Sequence, residues 1–226
     1  MFAEDFSQNG SSNQPKMTIN ASRTTIKILN SFVKTTPKFI IHIKSSFFIK
    51  KVLNEEELTQ EFVALLRREL LNLNYPFCVG QVYKDIYYSS RGRSDFYIYP
   101  SEEEKSTKSI FSVEAKRLPA PKPVSREKEY VIWADNNGGI ERYKIGKHGQ
   151  GLSECGMLGF VEQEDFKYWG NIINTWITNL TTVDPNWKGS EILHEVETVS
   201  QYCRLGSTVH RIKEPDLSLY HLWILL

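Results

Sequence analysis

Two short apolar runs carry charged residues in a pattern suited to chemistry on phosphate esters. The first is Arg93-Ser94-Asp95-Phe96-Tyr97-Ile98-Tyr99 and the second is Ile110-Phe111-Ser112-Val113-Glu114-Ala115-Lys116. In a β-strand, residues two apart share a face, so Glu114 and Lys116 point the same way and Ala115 the other. If the two strands pair, Asp95 joins them, and two carboxylates and an ammonium share a small volume. Such a group is costly to build unless a divalent cation binds there. Asp95 and Glu114 offer the hard oxygen ligands that Mg²⁺ prefers. Lys116 beside them would orient or deprotonate the attacking water, with its pKa lowered by the cation and positive neighbours. The chemistry this predicts is metal-dependent cleavage of phosphodiesters. The alternative is an ion pair between Lys116 and a strand acid at the surface.

The elements that must position these residues can be read around them. Residues 54–73 are a predicted helix. Asn54 can cap it and Glu57 completes a capping-box pattern, while Leu58, Phe62, Leu65 and Leu66 keep helical spacing. Glu55 falls within about 20° of Phe62 on the helical wheel, at the centre of the apolar stripe. It is either a further member of the site or a first-turn acid stabilised by the helix dipole. Strands are expected over 82–88, 93–99 and 109–117 as a β-meander. They are joined by Ser89-Ser90-Arg91-Gly92 and by an acidic loop around Glu102-Glu103-Glu104-Lys105. Pro119, Pro121 and Pro123 end the third strand. Beyond the Asn136-Asn137-Gly138-Gly139 turn come a helix over 140–148, a buried strand over 156–161 and an amphipathic helix over 166–180. That last helix turns Trp169, Ile172, Ile173, Trp176 and Ile177 inward. Residues 202–212 and 218–226 read as closing strands. Residues 21–53, alternating Thr, Ile, Phe and Lys, also read as strands.

A chain of 226 residues, 40% hydrophobic and 24% charged, fits one domain with ample core. Residues 1–20, rich in Ser, Asn, Gln and Gly, are expected to be poorly ordered. The stretch 21–53 is a basic N-terminal extension, 54–161 the core, and 162–226 a C-terminal helix and strands packed on it. Net charge is only +1, but residues 1–53 carry eight Lys and Arg against two acids, and residues 162–226 five against nine. The basic arm could meet phosphates, or could simply be a solvated lysine-rich face. Cys78, Cys155 and Cys203 lack the spacing of a zinc site or disulfide framework, and are expected as packing residues in a reducing cytoplasm. No apolar stretch of about 18 residues suggests a membrane span, and no basic-then-apolar leader is seen. His42, His148, His194, His210 and His221 show no metal-ligand spacing, and His210 and His221 read as structural. Phosphate-binding GxxxxGKS and GxGxxG loops and a GxSxG elbow are absent from the sequence.

The order α-β-β-β-α-β over residues 54–161, with Ser94-Asp95, Glu114-Ala115-Lys116 and Glu55, resembles the PD-(D/E)XK nuclease superfamily. It departs from that motif where Ser94 stands in place of proline. Gly138-Gly139-Ile140-Glu141-Arg142-Tyr143 followed by Gly156-Met157-Leu158-Gly159-Phe160-Val161 is similar to a pattern in bacterial members associated with restriction or phage defence. The resemblance implies an α/β (α+β) restriction-endonuclease-like fold, a mixed central sheet flanked by helices with N- and C-terminal additions. It also implies a deoxyribonuclease using Mg²⁺, for which Mn²⁺ could substitute. Asp95, Glu114, Lys116 and Glu55 would be catalytic, and Asp95, Glu114 and the Ala115 carbonyl would hold one metal, with Glu55 deciding how a second is held.

Arg142, Lys144 and His148, on or beside the following helix, are candidates for phosphate contacts, with Gln81 and Tyr83 weaker ones; solvated helix charges are the alternative. DNA is the expected substrate, although no feature of the sequence excludes RNA. The competing reading is a non-cleaving nuclease-fold subunit that binds nucleic acid or a partner protein. With no helix-turn-helix or zinc finger to read bases, targeting by a partner protein or through a homo-oligomer is expected.

Overall fold

The computed structural model describes residues 21–45, 51–84, 86–87, 92–102 and 106–226. The expected disorder of residues 1–20, the strand end at Tyr88, the connection 89–91 and the acidic loop at 103–105 lie outside them.

The chain forms one seven-stranded mixed sheet with helices on both faces, an α/β architecture. Its elements are α1 (Arg23–Ile43), α2 (Glu55–Asn72), β1 (Phe77–Lys84), β2 (Arg93–Pro100), β3 (Phe111–Leu118), α3 (Gly139–Lys144), β4 (Glu154–Val161), α4 (Phe166–Leu180), β5 (His194–Thr198), β6 (Tyr202–Val209) and β7 (Leu217–Leu225). Short 3-10 turns interrupt the connections, among them Val124–Tyr130 and Gly189–Glu191. The strand order is β1-β2-β3-β4-β7-β6-β5. β1, β2 and β3 form the expected antiparallel meander, although the first strand, expected over 82–88, runs earlier over Phe77–Lys84; β3–β4 and β4–β7 pair in parallel, and β7–β6–β5 is antiparallel again.

The segment expected to begin with strands is instead the 21-residue helix α1. Its buried residues Thr25, Ile28, Ser31, Phe32, Thr35, Thr36, Phe39 and Ile40 recur every three or four positions, which marks a helical stripe. The β-branched content that suggests a strand is tolerated because the buried hydroxyls bond back along the helix. Ser31 Oγ donates to Ile28 O at 2.6 Å, Thr35 Oγ1 to Ser31 O at 2.8 Å and Thr36 Oγ1 to Phe32 O at 3.1 Å. Ser22 caps the helix by accepting from Thr25 N at 3.1 Å.

One face of the sheet is covered by α1 and α2, where Phe32, Phe39, Phe62 and Phe111 pack edge to face and Phe96 packs tilted against Phe32 and Phe62. The second core, under α3, α4 and the 3-10 turns, holds Tyr130, Tyr143, Met157, Trp169, Trp176 and Trp223. Ile172, expected inward on α4, is only half-buried. His221 sits in this second core between Tyr130 Oη (2.8 Å) and Ser207 Oγ (3.0 Å), as a structural histidine should, and burial pushes its pKa down to about 3. Cys155 and Cys203 are buried, Cys78 is partly exposed, and all three are free thiols. No helix among the described residues is long and apolar enough to cross a membrane.

Candidate functional site

Glu55, Asp95, Glu114 and Lys116 come together where the first turn of α2 meets the β2–β3 pair. α2 starts as its sequence requires: Asn54 Oδ1 accepts from Glu57 N and Glu57 Oε2 from Asn54 N, both at 2.9 Å. That cap sets Glu55 at the first helical position with its side chain 25% exposed. From there the carboxylate crosses to β3, where Oε1 accepts from Lys116 Nζ and Oε2 from Arg117 N, both at 3.1 Å. Glu55 therefore does more than complement the helix dipole.

The β2–β3 ladder runs through Ile98↔Phe111 and Phe96↔Val113. One step further, Ala115 N donates to the side chain of Asp95, at 2.7 Å from Oδ2. The carboxylate thus takes the place of a backbone acceptor and parts the two strands. Beside it on β1, Val82 has φ +51°, a strained conformation for a β-branched residue. Both line a cleft of about 500 Å³ with Glu55, Glu56, Thr59, Gln81, Arg117 and Arg126.

Glu114 lies deeper and is fully buried. Its Oε1 faces Lys116 Nζ at 2.8 Å and the Arg142 guanidinium, while Oε2 is 3.2 Å from His148 Nδ1. That last pair is within ion-pair distance but lacks hydrogen-bond geometry, so both atoms remain without a hydrogen bond. Lys116 Nζ also donates to Ala115 O at 2.8 Å.

These contacts decide the charges. Burial works against an ionised Glu114, but Lys116, His148 and Arg142 outweigh it and hold the carboxyl well below its ordinary range. Burial likewise opposes the Lys116 charge, yet Glu114, Glu55 and Asp95 outweigh it and raise its pKa. The lowering expected of Lys116 was tied to a bound cation; its protein neighbours alone, three carboxylates around one ammonium, act in the opposite direction. Asp95 goes the other way: burial and the neighbouring Glu114 charge push it up to about 7.

Two of the three phosphate-contact candidates are at the site, facing inward. Arg142 and His148 both turn to Glu114. α3 and the turn after it aim them there. Tyr143 Oη donates to Gly156 O at 2.9 Å, tying α3 to β4, and His148 N donates to Arg142 O at 3.1 Å. Gly138 and Gly139 permit this close seat, since a Cβ on Gly138 would lie 2.2 Å from Ile132 Cα and one on Gly139 2.8 Å from Tyr130 O.

Lys144 is elsewhere, and its expected phosphate contact is corrected. Its ammonium is buried against Glu191 Oε1 and Oε2 (2.7 and 2.9 Å), Asn186 O (2.8 Å) and His210 O (2.9 Å). On the helix α3 a Lys two positions from Arg142 points to a different side. Gln81 does line the cleft, whereas Tyr83 lines a separate small cavity with Ser94, Ser109, Ser112 and His148.

Sequence reasoning missed Arg117 and Arg126. Arg117 lines the cleft and pairs with Glu162 through two 2.5 Å bonds; its place next to Lys116 was a usable signal. Arg126 lines the cleft from the 3-10 turn at Val124–Tyr130 and is paired with Glu129 at 2.8 and 3.0 Å; no motif marked it.

Among the described residues no group of three or more His, Cys, Asp or Glu is disposed to hold a metal ion. The oxygens that do converge are of mixed type. Glu55 Oε1, Ala115 O and Glu114 Oε1 surround a single cationic atom, Lys116 Nζ, at 3.1, 2.8 and 2.8 Å. Two carboxylate oxygens and a carbonyl around one positive charge form a donor set that suits a hard divalent cation, and the Asp95 carboxyl beside it is raised by its burial and by the Glu114 charge.

Fold and site together define an α/β protein with a buried carboxylate–lysine cluster at the foot of an open cleft. Comparison with protein-family models, with curated proteins and with solved structures found no match.

Proposed function

We propose that the protein is a metal-dependent nuclease of the restriction-endonuclease-like fold, hydrolysing phosphodiester bonds of DNA. The observation that carries this reading is the convergence of Glu55, Asp95, Glu114 and Lys116, from three elements, in one cluster, with Glu55 and Asp95 lining the cleft and Glu114 and Lys116 buried behind them. The element order from α2 to β4 supports it, with the acid on β2 and Glu-x-Lys on the next strand. Restriction or phage defence is the biological setting that the resemblance suggests.

Asp95, Glu114 and the Ala115 carbonyl would hold Mg²⁺ or Mn²⁺, with Glu55 as the ligand that decides whether a second ion is held. The metal would neutralise charge at phosphorus and acidify a bound water. Glu114 can serve as an ionised ligand because Lys116, His148 and Arg142 together hold its carboxyl well below the ordinary range, and the Arg142 contact orients it. Asp95 uses one oxygen on Ala115 N and keeps Oδ1 for the cleft. Lys116, as an ammonium, would orient the attacking water through its oxygen and offset charge on the phosphoryl oxygens. Arg117 and Arg126, on the cleft wall, are better placed for phosphate than Lys144.

The test is digestion of linear, circular and single-stranded DNA, and of RNA, with Mg²⁺ or with EDTA. Wild type is expected to cut DNA only with Mg²⁺, and Lys116→Ala to cut at least about 100-fold more slowly. Indistinguishable behaviour of the two proteins in every condition would sink the enzymatic reading. One observation favours a second reading, a non-cleaving subunit that binds nucleic acid or a partner protein: Glu114 is closed in by three basic side chains. A mobility shift that persists in EDTA without cleavage in Mg²⁺ would select it.

A further inference from the structure

We infer that Lys116 is an internal cation competing with divalent metal for one set of oxygens, so that metal enters this site only as the ammonium leaves it. The inference rests on the proposed metal site and concerns how that site is loaded.

Lys116 Nζ donates to Glu55 Oε1 at 3.1 Å and to Ala115 O at 2.8 Å, and is ion-paired with Glu114 Oε1 at 2.8 Å. Two of them, Ala115 O and Glu114 Oε1, belong to the ligand set proposed for the metal, and all three are donor types that a hard divalent cation takes at shorter distances. The Lys116 side chain is 5% exposed and that of Glu114 0%, so little solvent is present to screen two cations from each other. Ammonium and metal therefore exclude one another at this point.

The surroundings suit an exchange. Arg142 keeps its hold on Glu114 Oε1, and His148 Nδ1 lies 3.2 Å from Oε2, so the acid stays oriented when Lys116 departs. Glu55, one of the ammonium's partners, lines the open cleft of about 500 Å³, which gives the flexible lysine stem somewhere to go. Metal entry then delivers the ammonium towards the cleft where substrate would lie. Without metal the site is locked by its own lysine.

Direct titration separates this device from general charge effects. Mn²⁺ and Ca²⁺ binding would be measured by calorimetry, without nucleic acid, on wild type, Lys116→Met and Arg142→Met. The Arg142 variant removes a positive charge that rests on Glu114 Oε1 alone, whereas Lys116 touches all three oxygens. Lys116→Met is expected to bind at least about tenfold more tightly than wild type, with a clearly smaller gain in Arg142→Met. Unchanged or weaker binding in Lys116→Met, or an equal gain in both variants, overturns the inference. Should Lys116→Met fail to fold by circular dichroism, Lys116→Gln, which keeps a polar group near Glu114, carries the same comparison. No binding by any variant overturns the inference together with the metal site, whereas tighter binding by Lys116→Met without DNA cleavage supports it and sinks only the nuclease reading.

Discussion

Asp95 and Glu114 are both carboxylates on neighbouring strands, and the fold treats them oppositely. Glu114 sits among Lys116, Arg142 and His148 and is held ionised, while Asp95, beside that negative charge and partly desolvated, is pushed up to about 7. The sign of the consequence follows by linkage. Below the unfolded value of 3.8, Asp95 is protonated in folded and unfolded chains alike and costs nothing. Between there and about 7 the unfolded chain ionises while the folded carboxyl keeps its proton, so stability falls across that window and the loss is complete above 7. Asp95→Asn keeps an acceptor for Ala115 N and removes the ionisable carboxyl. In EDTA at pH 8 it is expected to raise the melting temperature by roughly 2–4 °C, on the order of 1 kcal/mol, and to have no effect below pH 4. A pH-independent change, or a loss at pH 8, would contradict the assigned environment.

At the scale of elements, the site depends on where α2 begins. Asn54 and Glu57 exchange two bonds that stop the helix from starting earlier or fraying, and Glu55 reaches Lys116 and Arg117 only from that first turn. Asn54→Ala is expected to cost about 1 kcal/mol in urea unfolding. It should also weaken Mn²⁺ binding relative to wild type, because a frayed first turn misplaces Glu55. A stability loss with metal affinity untouched would show that Glu55 lies outside the metal site. This helix was legible because its cap and stripe are local signals. α1 was not, since Thr-Ile-Lys-Ile and Phe-Ile-Ile-His-Ile carry a strand-like composition and Pro37 interrupts the run. What overrode composition was a buried stripe at helical spacing against α2 and the sheet, with hydroxyls satisfied inside the helix.

For the molecule as a whole, the last third of the chain is built into the sheet. β7 lies between β4 and β6, so the C-terminal strands are part of the central layer, and the two cores meet through it. The buried Lys144–Glu191 pair fastens α3 to this region, through the turn at Gly189–Glu191 and the end of β6 at His210. Lys144→Met leaves Glu191 buried without its counter-ion and is expected to cost about 3–5 kcal/mol in unfolding experiments. It should leave the salt dependence of any DNA binding unchanged, because this ammonium is buried and already engaged by Glu191, Asn186 O and His210 O. A reduced salt slope with wild-type stability would return Lys144 to the role its sequence position suggests.

By itself the sequence determined the pieces with local causes. These are the capped α2, the β1–β2–β3 meander, the amphipathic α4, and the pairing of an acid with Glu-x-Lys on adjacent strands. Period-two and 3.6-residue spacing decide such features within a dozen residues. Tertiary structure alone decided what each charge faces. Arg142 and Lys144 are two positions apart on a short helix, yet one holds Glu114 at the site and the other is sealed against Glu191 on the far side. Lys116 read as a group to orient or deprotonate a water, and only the fold shows what faces it: three oxygens that favour its ammonium form. Electrostatic environment depends on partners tens of residues away in sequence and on how much water the packing excludes. Neither quantity is written in local spacing.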